Sequence, residues 1–347
     1  MNNHNISNHT PPLPREGQGG GVRIVFMGTP EFAVESLKKL VENHYNVVAV
    51  VTMPDKAVGR HHDTLQASPV KQYAVEQGIP VLQPERLKDE AFLEELRSYK
   101  ADLQIVVAFR MLPEVVWAMP PKGTFNLHAA LLPQYRGAAP INWAVINGDT
   151  ETGVTTFFLD HDIDTGKIIH RVSTPIGERD TVGDVYDRLM YIGADLVLKT
   201  VDDIEAGRIE AVEQSSIINQ QSSILRPAPK LFKENTEIRW SQHTVKSAYD
   251  FIRGLSPYPA AWTTLRTADG KETQLKVFFA EKSLTPNPSP RGGGSLKVAL
   301  SDGNIYLTDI QLAGKKRMPV SDFLRGAHLE GAVLVESGVE EVHPIIL

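Results

Sequence analysis

The sequence predicts an α/β protein. A Rossmann-like, doubly wound, mostly parallel sheet comes first, and a smaller β domain, a barrel, follows toward the C-terminus. Three observations carry this. Short apolar runs alternate with helical segments of roughly 10–15 residues over the first half of the chain, the pattern of strands joined by crossover helices. Beyond Arg226 the pattern changes to short strands separated by Asp-Gly turns. A chain of 347 residues is also long for one core.

Residues 22–28 form an apolar run closed by glycine, the profile of a buried parallel strand. Thr29 is placed to cap a helix over 31–43, with Pro30 at its first position. A strand follows at 46–52, and 76–82 closes a helix and starts another. Residues 102–108 and 123–128 are further short strands, separated by helices around 85–99 and 112–119. A β-ribbon (153–159 and 167–174) and a long amphipathic helix (181–206) come next. The Ser-, Gln- and Asn-rich stretch 214–223 reads as a linker. Strands are expected at 263–267, 275–280, 297–300, 305–310 and 332–335, with hairpin turns at 268–270 and 301–303. The expected domains are 22–207 and 229–347, joined by a linker over 208–228. Residues 1–21 are polar, rich in Pro and Gly, and read as disordered. Their low-complexity phrase recurs at 285–294, inside an expected insertion at 284–295.

Composition narrows the function classes. With 41% hydrophobic and 22% charged residues the chain has the profile of a soluble globular protein. The absence of cysteine excludes disulfides, thiolate nucleophiles and Cys-ligated zinc, and accords with a cytoplasmic location. No apolar run reaches the roughly 20 residues of a membrane span. The net charge is −6, yet 226–325 holds 16 Lys and Arg against 9 Asp and Glu. A basic module on an acidic body can hold a polyanion at one face. The turn Gly28-Thr-Pro-Glu31 has one glycine where a dinucleotide site needs three, and its Glu31 would repel a pyrophosphate. His61 and His62 are adjacent with no third ligand, so a solvated loop is expected there rather than a metal site.

Chemistry concentrates in Asn126-Leu-His128-Ala-Ala-Leu-Leu-Pro133 and in Asp162-Ile-Asp164-Thr-Gly166. Residues two apart on a strand point to the same side, so Asn126 and His128 share a face at the carboxyl end of a strand, where open parallel sheets place their sites. A carboxylate arriving from a separate loop can hold such a histidine in one tautomer. An amide, an imidazole and a carboxylate together are equipment for stabilising an oxyanion and steering a proton.

These motifs, with Arg136-Gly-Ala-Ala-Pro-Ile141, resemble the signature of the folate-dependent formyltransferases. The likeness runs from about Arg23 to the C-terminus. It includes 26–32, 68–71, 230–240, 257–262 and 313–316, and is nearest to the branch that formylates methionine carried by tRNA. The resemblance implies a formyltransferase fold with an oligonucleotide-binding-like (OB-like) C-terminal barrel. It implies that 10-formyltetrahydrofolate is the co-substrate, initiator methionyl-tRNA the acceptor, and no metal takes part. It also implies a monomer. Asn126, His128 and Asp164 would form the catalytic set. Phe109, Arg110, Met111 and Leu112, with Ala130, Leu131, Leu132 and Pro133, would line the formyl-folate pocket. Arg60, in the long loop 52–67, would contact tRNA, as would Lys315 and Lys316. Two departures stand out: Ala130 replaces the family's usual serine, and His61-His62-Asp63 replaces a more basic run. The rival readings are the same chemistry on a sugar or other small amine, and an RNA-binding protein without catalysis.

Overall fold

The computed structural model describes residues 21–58, 64–220, 224–283, 296–327, 329–339 and 342–346. Nearly all of the expected N-terminal extension, the insertion 284–295, and Arg60, His61 and His62 lie outside the described residues.

The elements run in the order β1 (Ile24–Gly28), α1 (Glu31–Glu42), β2 (Val47–Val51), β3 (Lys56–Val58), β4 (Thr64–Gln66), α2 (Pro69–Glu76), β5 (Val81–Leu82), α3 (Glu90–Ser98), β6 (Leu103–Val107), α4 (Glu114–Trp117), β7 (Thr124–His128), α5 (Pro140–Ile146), β8 (Glu151–Phe158), β9 (Ile168–Pro175), α6 (Val182–Glu205) and α7 (Gln214–Gln220). Then come α8 (Val245–Gly254), β10 (Ala261–Arg266), β11 (Glu272–Ser283), β12 (Leu296–Leu300), β13 (Gly303–Leu312), β14 (Met318–Pro319), α9 (Val320–Leu324), β15 (Val333–Val335) and β16 (Val342–Ile346).

The first sheet has the order β5-β2-β1-β6-β7-β8-β9. The pairings β5–β2, β2–β1, β1–β6 and β6–β7 are parallel, and β7–β8 is antiparallel. Every residue of β1 and β6 is buried, as expected of central strands covered on both faces. The second sheet, β11-β10-β15-β16-β12-β13, closes through a β11–β13 pairing into a six-stranded antiparallel barrel, and β14 adds to β13. Its core holds Leu265, Leu275, Val277, Val298, Ile305, Leu307 and Leu334, with Ile252 and Leu255 from the region of α8. Trp240 is buried with them, its indole N–H donating to Thr263 Oγ1 at 3.0 Å. A capping box between Thr244 and Ser247 starts α8. The contacts divide the chain into two compact units that interleave along the sequence. One is built from segments within 1–133, 154–172 and 189–224, the other from segments within 134–153, 173–188 and 225–347.

Local departures from the sequence reading have physical causes. Pro30, in extended backbone at φ −80, is the N-cap of α1; Thr29 does not cap, its hydroxyl being buried with no hydrogen-bond partner among the described residues. Strand β11 is twice as long as expected, because irregular pairing around Phe279 breaks its alternation of apolar and polar residues. Strands β14 and β16 carry Pro319 and Pro344, which mask the strand signal. The loop 52–67 contains the two-stranded ribbon β3–β4, and part of the expected linker is the helix α7.

In the first unit, Asp203 of α6 accepts from Lys199, Arg208 and His170, the last lying on β9. The hydrogen bonds from Lys199 and Arg208 hold its carboxyl below the usual carboxylate range. A carboxyl lowered in the folded state adds stability that is present above its unfolded value, near about 4, and is lost as pH falls through the lowered folded value. The expected result is that Asp203→Asn flattens the acid side of the stability curve below about pH 4, read by denaturant unfolding at stepped pH. An unchanged acid slope would remove Asp203 from the pH dependence.

Candidate active site

Strand β7 carries the site. Leu127 faces α6, where Gly193 comes so close that a Cβ there would stand 2.7 Å from Leu127 Cδ2. Thr156, opposite Leu127 in β8, bonds Thr200 of the same helix at 2.9 Å. Asn126 and His128 therefore point to the face away from α6. His128 is buried, 6% exposed, and its ring meets the edge of Phe157 with centroids 6.4 Å apart. Asn126 is half-buried.

Thr155, opposite His128 and fully buried, ties down the segment after the strand. Its hydroxyl donates to Ala130 O at 2.6 Å and accepts from Leu132 N at 3.1 Å. Arg171 donates to Leu132 O at 3.2 Å. Leu132 packs on Phe157 and Ile168, with Ile217 of α7 against them. Ala130 and Leu132 are fully buried, Pro133 is buried, and Leu131 is half-buried. Sequence reasoning missed Thr155 and Arg171, because nothing local marks a threonine that serves a loop 25 residues earlier.

Asp164 reaches the same place from the loop after β8. Its Oδ2 lies 3.8 Å from His128 Nδ1, and its side chain is 14% exposed. That separation suits an ion pair or a water bridge rather than a direct hydrogen bond. Within the loop, Thr165 Oγ1 donates to Asp160 Oδ1 at 2.7 Å, and Asp162 N donates to the same oxygen at 3.2 Å. Gly166 lies so close to β8 that a Cβ would stand 1.7 Å from Phe158 O. Gly166→Ala is therefore expected to displace the turn, cutting activity and lowering the melting temperature together. An unchanged melting temperature would show that the loop yields without cost.

The expected pocket residues lie on the carboxyl edge of the same sheet, just after β6. Phe109 and Arg110 are half-buried, Met111 is 74% exposed, and Leu112 is buried. The Arg110 guanidinium donates to Pro84 O and, at 2.8 Å, to Glu85 O, and stacks near Phe109. Its Nε is buried with no hydrogen-bond partner among the described residues. At the neighbouring end of β2, Lys71 Nζ and Gln83 Nε2 bind the two oxygens of Asp55 at 2.6 and 2.8 Å, and the Lys71 contact chiefly lowers the carboxyl's pKa. Thr52 and Ser68 hydroxyls meet at 2.8 Å, so both ends of loop 52–67 are anchored.

In the second unit, the segment 134–139 is fixed by residues 226–228. Gly137 adopts φ +125, and a Cβ there would stand 2.5 Å from Ala228 O, which accepts from Ala138 N. Tyr135 donates to Asp149, which also accepts from Arg226 at 2.6 Å; burial, then this bond to Asp149, raises the phenol's pKa. Lys315 and Lys316 are exposed in the turn from β13 to β14. Among the described residues, no group of three or more His, Asp or Glu side chains is placed to hold a metal ion.

The chain resembles known proteins along nearly all its length. A family model described as formyl transferase matches residues 22–201, and one described as formyl transferase, C-terminal domain, matches 230–328. Curated relatives named methionyl-tRNA formyltransferase include those of Parabacteroides distasonis (62% identical, covering 88% of this chain and 95% of the relative) and Bacteroides fragilis (57%, covering 90% and 97%). Among solved structures, HypX from Aquifex aeolicus in complex with tetrahydrofolic acid has a TM-score of 0.58 at 17% identity, covering 88% of this chain and 47% of that one. The sugar 3N-formyl transferase WlaRD has a TM-score of 0.58 at 18% identity, covering 86% and 100%.

Proposed function

The chain belongs to the formyl transferase family, and on that premise we propose that it transfers the formyl group of 10-formyltetrahydrofolate to the α-amino group of methionine on initiator methionyl-tRNA, giving N-formylmethionyl-tRNA for translation initiation. The observation that carries the catalytic part is the approach of the Asp164 carboxylate to the buried His128 ring, on the face that His128 shares with Asn126. The acceptor rests on the identity to relatives named for it and on the basic excess within 226–325.

The residues present fit such a donor. Asn126 and His128 offer N–H groups to a carbonyl oxygen, and Arg110 Nε, at the same edge of the sheet, has no hydrogen-bond partner among the described residues. The folate supplies an activated formyl carbonyl; the chain's own residues orient it and manage charge and protons. Asn126 and His128 donate to the carbonyl oxygen as it becomes negative, and one such donor contributes roughly 2.7–4 kcal/mol. Asp164 orients His128 across the 3.8 Å gap, receives a proton from the attacking amine and returns it to the departing nitrogen. In this reading 22–207 is the catalytic domain and 229–347 the RNA-binding barrel, in a monomeric cytoplasmic enzyme.

The test is formyl transfer from 10-formyltetrahydrofolate to charged initiator tRNA, to free methionine and to a nucleotide-linked amino sugar. Product on the tRNA alone is expected, and preference for the sugar amine would overturn the acceptor. Removing Lys315 and Lys316 together should raise KM for tRNA and reduce its salt dependence by up to about two phosphate contacts. An unchanged salt slope would take this turn off the RNA surface.

A further inference from the structure

Asp164 stands in left-handed backbone, φ +56, a region that most residues with a side chain avoid and that aspartate enters at turns. The turn is tied from α7, 50 residues along the chain. The side-chain amide of Gln214, 2% exposed, donates to Asp164 O at 2.8 Å and to Gly166 O at 2.9 Å. An amide nitrogen has two protons, and both are spent on this one turn. The placement follows from a register. Ile168 and Val212 exchange two backbone hydrogen bonds of 2.8 Å as an antiparallel bridge. Lys167 pairs with Glu213 at 3.2 Å, one step further. The next step sets Gln214 opposite Gly166.

We propose that Gln214 is a positioning residue for the reaction: by bridging the two carbonyls of the Asp164-Thr-Gly166 turn from α7, it sets where the Asp164 carboxylate stands relative to His128. The inference rests on the reading of Asp164 as the group that orients His128 and moves the proton. Its consequences differ from those of a structural clasp. Losing the clasp without losing the fold shifts one carboxylate, which slows the chemical step while leaving substrate contacts elsewhere intact. A displacement near 1 Å costs up to about 10²-fold in rate.

The experiment compares kcat and KM of the full-length chain in five forms: wild type, Gln214→Leu, Gln214→Glu, Asp164→Asn and the double variant Gln214→Leu/Asp164→Asn. Gln214→Leu is expected to lower kcat by about 10–10²-fold with both KM values within about twofold. Added to Asp164→Asn it should lower kcat no further, since it acts through that carboxylate. Gln214→Glu keeps the shape but donates only when protonated, and burial against two carbonyls raises its pKa. Its activity relative to wild type should therefore climb as pH falls from about 8 to about 6. This variant decides the matter if Gln214→Leu fails to fold. Full additivity in the double variant, an unchanged kcat for Gln214→Leu, or a flat relative pH profile for Gln214→Glu overturns the role of Gln214 while leaving that of Asp164 standing. A wild-type kcat for Asp164→Asn overturns both.

Discussion

Alanine in place of His128 is expected to lower kcat for formyl transfer by about 10²–10³-fold, with KM for tRNA nearly unchanged. The ring is the buried member of the set, and it has a carboxylate 3.8 Å from Nδ1. Its contribution arises as charge develops on the carbonyl oxygen, so the loss appears in the chemical step rather than in binding. Removing the ring also leaves a space beside Phe157, costing some stability. Rate and melting temperature are therefore measured on the same preparation, below the transition. Asn126→Ala and Asp164→Ala should each lower kcat by at least about 10²-fold. Because the three act as one unit, a triple variant should be little worse than the worst single one. A His128→Ala enzyme with wild-type kcat would end the proposed mechanism.

The largest expected effect on stability lies in the second unit. Arg253 and Asp250 of α8 are both about 6% exposed in their side chains and meet at 2.8 Å. Arg253 also donates to Gly177 O at 3.2 Å and Asp180 O at 2.9 Å, and Lys246 reaches the other oxygen of Asp250 at 2.6 Å. A buried pair adds little net stability over an apolar one, but removing one partner strands the other's charge, at a cost of about 3–5 kcal/mol. Asp250→Ala should accordingly lower the melting temperature by roughly 6–20 °C. The double variant Asp250→Leu/Arg253→Met should recover much of that loss. Calorimetry of the full-length chain distinguishes the two, and a double variant as unstable as the single one would show that the carbonyl contacts of Arg253, rather than the pair, carry the stability.

The parallel strands, the basic C-terminal module and the catalytic candidates were legible because each leaves a local trace. An apolar run marks a central strand, a two-residue spacing places Asn126 and His128 on one face, and Asp-Gly marks a turn. Elements without such a trace were missed. The two-residue β14 and the proline-bearing β16 lack a period to read, and the ribbon β3–β4 is hidden in a polar loop. The serine-, glutamine- and asparagine-rich α7 has the composition of a linker, yet packs Ile217 against Leu132 and Phe157.

Residue types and their short-range spacing were thus enough to establish that this chain builds a covered parallel sheet with an amide and an imidazole at its carboxyl edge. They could not say that Thr155 pins the segment after His128, that Gly166 is required because β8 leaves no room for a Cβ, or that Gln214 holds the Asp164 turn from 50 residues away. Strand and helix periods are written in neighbouring residues, because backbone geometry repeats over a few positions. The register between distant segments is chosen by the packing of the whole unit, so the distance from Asp164 to His128 exists only once the chain has folded.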